Sequence, residues 1–460
     1  MVRARHARKP EGGRRSPTGG AGARGASEAR GRSRAPDGPP APNDELIYDW
    51  NHLDVVAPLT TKPIRLNDET LRDGIQSPSV TDPELELKLE IVDLMESLHI
   101  WSADIGLPGA GPRAFHDVLA IAKHLAKKKH RLVPNCAART VAADIAPVAE
   151  VQQKAGLPVA VYTFIGSSPI RQYAEAWDLD YLLKTSAAAI DFAVKEGLEV
   201  CYVTEDTTRS HPAQLDRLFR NAIDHGAKAL CVCDTVGWST PDGVRRLIHW
   251  TRDIVRGMGA DVRIEWHGHN DRGLAVTNAI HAIEFGADVV HGCALGIGER
   301  VGNTALDQVL MNLRLLGAVD WDLRNLVKYV ETASRACRFP IPRNYPLSGE
   351  DAFRTATGVH AAAIVKASRK NDRWLMDRVY SGVPAGLFGK RQVIEIGPMS
   401  GLSNVMYWLG QRGLEATEGE ARSVLKQAKQ QARVLTEDEV LAALQEARGS
   451  AARPGVGRGR

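Results

Sequence analysis

Residues 262–294 read VRIEWHGHNDRGLAVTNAIHAIEFGADVVHGCA, and this stretch decides the fold because it holds two strands and the helix between them. The runs at 262–269 and 288–294 are short and β-rich, which is typical of strands in a parallel sheet. The longer segment between them has the apolar spacing of an amphipathic helix. We therefore predict one strand–helix–strand unit here, of the kind that α/β proteins repeat.

The same alternation begins at residue 64 and repeats roughly every thirty residues, the size of one βα unit. It predicts eight strands, at 64–68, 101–106, 131–136, 158–165, 198–205, 227–234, 262–269 and 288–294. Two helix starts place a capping residue before a proline, at Thr81-Asp82-Pro83 and at Ser239-Thr240-Pro241. Eight such units are typical of a closed (β/α)8 TIM barrel, which we place at residues 60–320. An open, doubly wound sheet shares the alternation, but no glycine-rich turn follows the first strand.

The pattern changes after residue 320, where helical stretches and a proline-rich connection at 339–346 replace the strands. Residues 415–448 indicate two charged helices with a break near Leu435. We therefore predict an α/β chain in which the barrel is followed by small, mainly helical C-terminal subdomains at 321–447.

Both ends of the chain are basic and lack apolar periodicity. Residues 1–40 contain nine Arg and one Lys against three acidic residues, and residues 448–460 contain four Arg and no acid. The first tail is rich in Gly, Ala, Pro and Ser and has no aromatic residue for stacking on bases, which disfavours nucleic-acid binding. We predict disordered tails at 1–43 and 448–460, and leave open an organelle transit peptide.

No apolar run approaches the roughly 18 residues of a membrane span, and no secretory signal follows the first methionine. We therefore expect a cytoplasmic protein without a membrane partner. The six cysteines have no CxxC spacing, which argues against disulfides and a structural zinc site. Cys231 and Cys233 are two residues apart and therefore share one face of the sixth strand, where they are expected to be buried small residues.

Polar side chains follow several of the predicted strands where those strands end. Arg72 and Asp73 follow the first strand, Glu205 ends the fifth, and His267 and His269 end the seventh. The carboxyl ends of barrel strands meet on one rim, and histidines two residues apart on a strand face the same way. That arrangement also occurs without function. Here it offers carboxylate and imidazole ligands to a divalent metal beside an anion-binding arginine.

Three motifs carry a family resemblance: LNDETLRDGIQSP at residue 66, HGHNDRGLAVTNAI at 267 and GIGERVGNTALDQVL at 296. In order and spacing they resemble the signatures of the acyl-CoA-condensing group of the DRE-TIM metallolyase superfamily, which includes 2-isopropylmalate, homocitrate and citramalate synthases. The resemblance covers roughly residues 64–401. It implies that the substrates are acetyl-CoA and a 2-oxo acid.

The resemblance also implies a role for individual residues. The implied ligands of a divalent metal, Mg²⁺, Mn²⁺ or Zn²⁺, are Asp73, His267, His269 and Asn303. The implied catalytic residues are Arg72, Glu205, His360 and Tyr380, and the implied substrate-binding residues are Arg72, Gln76 and Thr235. In a homodimer, His360 would act in the active site of the neighbouring subunit. Simpler interpretations are a salt bridge from Glu205 to Arg209, and helix caps at His360 and Asn303.

The expected function is an acyltransferase that converts acetyl-CoA and 2-oxoisovalerate into 2-isopropylmalate and CoA, a step of leucine biosynthesis. Homocitrate and citramalate synthases are the alternatives. A lyase similar to hydroxymethylglutaryl-CoA lyase is less favoured, because residues 294–303 lack the cysteine that this group carries. A non-catalytic scaffold barrel is disfavoured because all implied ligands are present. The chain does not show the β-rich regulatory domain of leucine-inhibited synthases, so we expect activity insensitive to leucine.

Overall fold

A computed structural model describes residues 46–51 and 59–451 of the chain. The chain divides into two units, Met1–Val56 and Ala57–Arg460. In the first unit, the rings of Tyr48 and Trp50 meet edge to face with their centroids 4.9 Å apart. The tail predicted to be disordered at 1–43 lies outside the described residues, as do residues 452–460.

The second unit is built around eight parallel strands that pair in sequence order and close into a barrel, because β8 pairs with β1. The strands are β1 (Leu66–Asp68), β2 (Ser102–Asp104), β3 (Val133–Arg139), β4 (Ala160–Gly166), β5 (Val200–Glu205), β6 (Ala229–Asp234), β7 (Arg263–Gly268) and β8 (Val289–Gly292). Each lies within or overlaps a run predicted from the sequence. The prediction of a TIM barrel is confirmed, and the alternative of an open sheet is wrong.

Helices follow every barrel strand. The barrel helices are α1 (Leu85–Ser97), α2 (Pro112–Lys128), α3 (Ala142–Ala155), α4 (Pro169–Glu175), α5 (Leu179–Lys195), α6 (Pro212–Asp224), α7 (Pro241–Gly257), α8 (Ala275–Glu284) and α9 (Leu306–Leu315). The C-terminal part contains α10 (Leu326–Cys337), α11 (Gly358–Arg369), α12 (Arg373–Arg378), α13 (Leu402–Gln411), α14 (Glu418–Ala428) and α15 (Glu437–Ala451). It also holds two short parallel strands, β9 (Arg354–Thr355) and β10 (Val393–Ile394). The mainly helical C-terminal part is therefore confirmed.

Strand side chains alternate between the helix-covered face of the barrel and its interior. In β6, Leu230 and Val232 join the main apolar core with the surrounding helices, whereas Cys231 and Cys233 pack inside the barrel. The two interior thiols have their Sγ atoms 3.8 Å apart, and all six cysteines are buried and unbridged. The expectation for these cysteines is confirmed, because their two-residue spacing matches the strand period.

One of the two predicted helix caps is confirmed and the other is wrong. The Thr240 side chain accepts a hydrogen bond from the backbone N–H of Gly243 at the start of α7. By contrast, α1 begins only at Leu85 and its N-cap position makes no side-chain bond. The Asp82 carboxylate instead binds Lys88, a buried lysine, with 2.7 Å between Nζ and Oδ1. Leaving a buried charge unpaired costs more free energy than losing an exposed cap.

The two charged helices expected near the C-terminus are α14 and α15, and the break between them includes Leu435. Helix α15 runs to Ala451, so the predicted boundary at residue 447 falls inside it. In the described part of the chain, no helix combines the length and apolarity that crossing a bilayer requires.

Candidate active site

A cavity of about 230 Å³ lies at the carboxyl ends of the barrel strands. Seven of the residues implied by the resemblance line it together, namely Arg72, Asp73, Gln76, Glu205, Thr235, His267 and His269. They come from four different strand ends, those of β1, β5, β6 and β7, and the closed barrel brings them within reach of one small molecule.

Asp73 and the two histidines of β7 form a compact cluster at this cavity. The Asp73 Oδ2 atom lies 3.6 Å from Nε2 of His267 and 3.6 Å from Nε2 of His269. One ligand atom from each of the three buried residues lies within 4.8 Å of the others. Asn303 is next to them, because its backbone forms an isolated β-bridge with His269. This geometry could hold one divalent cation.

Two buried oxygen atoms in this cluster make no hydrogen bond, namely Oδ2 of Asp73 and Oδ1 of Asn303. The amide nitrogen of Asn303 donates to the backbone oxygen of Ile297 over 3.0 Å, so the nitrogen of this amide is hydrogen-bonded and its oxygen is not. Leaving buried acceptors unpaired costs free energy, and a cation removes that cost. The donor set of carboxylate, amide oxygen and imidazole therefore fits a divalent metal. Asn303 does not cap α9, whose N-cap residue is Ala305.

Two glycines in the loop after β8 let Asn303 approach the cluster. A Cβ atom on Gly298 would lie 2.2 Å from Nδ2 of Asn303, and one on Gly302 would lie 1.9 Å from the backbone oxygen of Gly296. Both glycines also have positive φ angles, +152° and +95°. Side chains at these positions would displace the loop that holds Asn303.

The two histidines differ in charge preference because their neighbours differ. Burial disfavours the charged form of His267, but the carboxylate of Glu69, 2.7 Å from Nδ1, raises its pKa to about 9. Burial and, after it, the positive charge on His267 together lower the pKa of His269 to about 4. His269 is therefore neutral near pH 7 and has a lone pair to offer, while Glu69 fixes the ring of His267.

Arg72 lies among three carboxylates at the mouth of the barrel. Its Nε donates to Asp104 over 2.7 Å, one terminal nitrogen donates to Glu69 over 3.1 Å, and the other lies 3.2 Å from Oδ1 of Asp73. Burial raises the pKa of the Asp104 carboxyl to about 6, although Arg72 opposes that shift. These contacts fix the guanidinium beside the cluster, where it can bind an anionic oxygen.

Glu205 lies at the end of β5 and on the wall of the cavity. Burial raises the pKa of its carboxyl, and the guanidinium of Arg171, with Nε 4.0 Å from Oε1, partly offsets that effect. The salt bridge to Arg209 is not formed, because Arg209 binds Asp206 at 2.7 Å instead. A carboxylate with a raised pKa at a cavity wall can act as a general base.

His360 and Tyr380 lie together, away from the residues that line the cavity. Their rings stack with centroids 4.0 Å apart. His360 is exposed on α11, and Tyr380 follows α12 and is 48% exposed. Since the N-cap residue of α11 is Thr357, His360 does not cap that helix. The structure of one chain thus separates the predicted site residues into two groups.

Sequence reasoning missed a charged network inside the barrel below the cavity. His291 binds Glu69 through Nδ1 (3.1 Å) and Glu265 through Nε2 (3.0 Å), and the hydroxyl of Tyr162 donates to Glu265 over 2.9 Å. One signal was available, because Glu265, His267 and His269 follow the two-residue period of a single strand face. Glu69 also belongs to the first motif, three residues before Arg72.

Comparison with known proteins identifies the family. The HMGL-like family model matches residues 63–335. A probable 2-isopropylmalate synthase of Methanopyrus kandleri is 30% identical over 370 residues, which cover 80% of this chain and 69% of that protein. A homocitrate synthase of the same organism is 31% identical over 365 residues, which cover 79% of this chain and 86% of the relative.

A solved structure with the same barrel is the HMG-CoA lyase of Bacillus subtilis, with a TM-score of 0.51 and 18% identity. The match covers 62% of this chain and 97% of the lyase, and at this identity it shows the fold alone. The family match and the two synthases confirm the resemblance that the three sequence motifs indicate. The chain belongs to the HMGL-like family.

Proposed function

We propose that this protein is a divalent-metal-dependent acyltransferase that condenses acetyl-CoA with 2-oxoisovalerate and releases 2-isopropylmalate and CoA. The observation that carries the proposal is a pair of buried oxygens that make no hydrogen bond. One is Oδ2 of Asp73, which lines one cavity with two histidines and Arg72, and the other is Oδ1 of Asn303, whose backbone bridges to His269. Relatives named 2-isopropylmalate synthase and homocitrate synthase support this reaction class.

A divalent cation held by Asp73, His267, His269 and Asn303 would supply the positive charge that polarises the keto group of the 2-oxo acid. Arg72 donates hydrogen bonds to the keto oxygen as it gains negative charge during carbon–carbon bond formation. Gln76 and Thr235 line the same cavity, and we assign them to substrate binding.

Glu205 is the proposed base that takes a proton from the methyl group of acetyl-CoA. The resulting enolate carbon attacks the keto carbon, and water then hydrolyses the thioester to release CoA. The burial of Glu205 suits its role as the base, because a raised pKa makes the carboxylate a stronger base. We assign the remaining proton transfer to His360 and Tyr380, contributed by a second subunit.

The lining of the cavity favours an uncharged substrate side chain. Its apolar part is formed by Ala137, Phe164, Val203, Cys231 and Cys233. Among the described lining residues, the arginines are Arg72, which is assigned to the keto oxygen at the other end of the substrate, and Arg300, which binds Asp271 over 2.9 Å and 3.0 Å. Neither is available to a distal carboxylate, so 2-oxoisovalerate fits better than 2-oxoglutarate.

A free-thiol assay with acetyl-CoA and a panel of 2-oxo acids tests the reaction. We expect CoA release to be fastest with 2-oxoisovalerate, to fall to background after dialysis against a chelator, and to return on adding Mg²⁺, Mn²⁺ or Zn²⁺. The control is dialysis against the chelator already saturated with metal. Undiminished CoA release without metal, or none with any 2-oxo acid, would contradict the proposal.

The pH dependence of the reaction should follow Glu205. Because the base is the carboxylate, kcat/KM falls as pH falls through the pKa of Glu205, which lies above the ordinary value. The positive charge of Arg171 lowers this pKa, so Arg171→Gln should move the acidic limb of the plot of kcat/KM against pH to higher pH.

Arg220→Gln is a matched control for this pH shift. Arg171 also binds Glu175 four residues along its helix, and Arg220 makes the same type of pair with Asp216 on α6, away from Glu205. The control should leave the limb where it is. An unchanged limb in Arg171→Gln would argue against Glu205 as the base.

A further inference from the structure

A second group of metal-type side chains lies on the outside of the barrel. Asp93 is on α1, His124 is on α2, and His130 follows α2 just before β3. Among the described residues, three groups of histidine and carboxylate side chains are compact enough to share an ion, and two of those groups include His267. Asp93, His124 and His130 form the third group, which the proposed reaction does not use.

Both histidines point the same nitrogen at one carboxylate oxygen. Nε2 of His124 lies 2.8 Å from Oδ1 of Asp93, and Nε2 of His130 lies 2.7 Å from the same atom. The two imidazole rings are 6.0 Å apart between centroids and inclined by 62°. Three donor atoms from three separate segments of the chain therefore converge at one point.

The turn at the end of helix α2 brings His124, on the helix, close to His130, which follows it. Lys129 takes a left-handed conformation with φ of +55°, and its N–H donates to the backbone oxygen of Ala126. The N–H of His130 then donates to the backbone oxygen of Leu125 over 3.1 Å. This turn is a common helix end, and it folds His130 back beside His124. The backbone thus fixes the positions of both imidazoles before any ion binds.

The carboxylate is also held in place from its other side. Nζ of Lys128 lies 2.6 Å from Oδ2 of Asp93, which leaves Oδ1 to face the two histidines.

The dimensions of the group suit a tetrahedral ion. Bonds of about 2.0–2.1 Å in a tetrahedral site place two ligand atoms roughly 3.3 Å apart, so each ring would shift by about half an ångström relative to Oδ1 of Asp93. The side chains of His124, His130 and Asp93 are 18%, 16% and 32% exposed. This partial exposure gives an ion a route in and leaves room for water as a fourth ligand.

We infer that Asp93, His124 and His130 form a second divalent-metal site, selective for Zn²⁺ and similar transition metals over Mg²⁺. Two imidazoles with one carboxylate are the donors that Zn²⁺ prefers, whereas Mg²⁺ prefers oxygen ligands alone. The site joins α1, α2 and the approach to β3 at the end of the barrel away from the cavity, because barrel helices run antiparallel to the strands. Its role is to fasten these three segments together.

Metal stoichiometry tests the inference on the full chain. After equilibrium dialysis against micromolar free Zn²⁺, the variant carrying His124→Gln and His130→Gln should hold one Zn²⁺ fewer per chain than the unmodified protein. His225→Gln is the matched control, because His225 also binds one carboxylate, that of Asp191, over 2.7 Å, and this pair contains one imidazole rather than two. This control should keep the full complement. Equal zinc content in the double variant and the unmodified protein would overturn the inference.

A second measurement needs no substitution and does not depend on the variant folding. Crystals of the unmodified chain soaked in Zn²⁺ should show anomalous scattering within bonding distance of Nε2 of His124, Nε2 of His130 and Oδ1 of Asp93. The absence of that peak would show that the carboxylate only accepts hydrogen bonds from the two rings. Zn²⁺ should also raise the thermal midpoint of the unmodified protein more than that of the double variant, since an ion that binds only the folded state stabilises it.

Discussion

Asp73→Asn is expected to lower kcat/KM by more than about a hundredfold, because Asp73 is a proposed ligand of the metal. The loss of a residue that only supports a metal ligand already costs about 10–100-fold, and the loss of a ligand costs more. The substitution keeps the size of the side chain but removes the charge 3.6 Å from both histidines. The variant should also lose one metal ion per chain after dialysis, measured by elemental analysis, and the added metal concentration needed for activity should rise.

The same substitution should leave the fold intact. Arg72 retains two other carboxylates, Glu69 and Asp104, so its charge stays neutralised. Asp271→Asn is the control, because Asp271 lies near the histidines in sequence but binds Arg300 at the rim. The control should keep its metal content. Full activity and an unchanged metal content in Asp73→Asn would remove the basis of the proposed mechanism.

The fold could be predicted almost completely, because the signals that determine it are local. Short β-rich runs alternate with amphipathic helices, and eight such units leave few arrangements other than a closed barrel. Local signals failed where a tertiary contact was stronger. At the start of α1, Asp82 binds the buried Lys88 rather than capping the helix, and no sequence pattern showed that Lys88 is buried.

The candidate site could be predicted only where its residues belong to motifs at strand ends. Asp73, His267 and His269 meet at the cavity as the strand order requires. Asp104 was missed as the partner of Arg72, because their pairing depends on how β1 and β2 lie side by side. His291 was missed because a single histidine in an apolar strand carries no signal of the two carboxylates that it bridges.

The separation of His360 from the cavity leads to a further prediction about the assembly. We consider a symmetric dimer in which each subunit supplies His360 to the other. Asp73→Asn then damages the part of each site that comes from the barrel, and His360→Ala damages the part that comes from the neighbouring subunit. Each variant alone should be nearly inactive. The activity of His360→Ala should fall by about a hundredfold or more if the histidine transfers a proton.

Mixing the two inactive variants under conditions of subunit exchange should then restore activity. In a mixed dimer, the barrel of the His360→Ala chain receives His360 from the Asp73→Asn chain, so one of its two sites is complete. Since random exchange makes about half of the dimers mixed, recovery should approach about a quarter of normal activity. An exchange control with Asp73→Asn and the double variant Asp73→Asn/His360→Ala should recover nothing. If the first mixture also stays inactive after exchange is verified by mass spectrometry, His360 does not act across subunits, and its stacking on Tyr380 is structural.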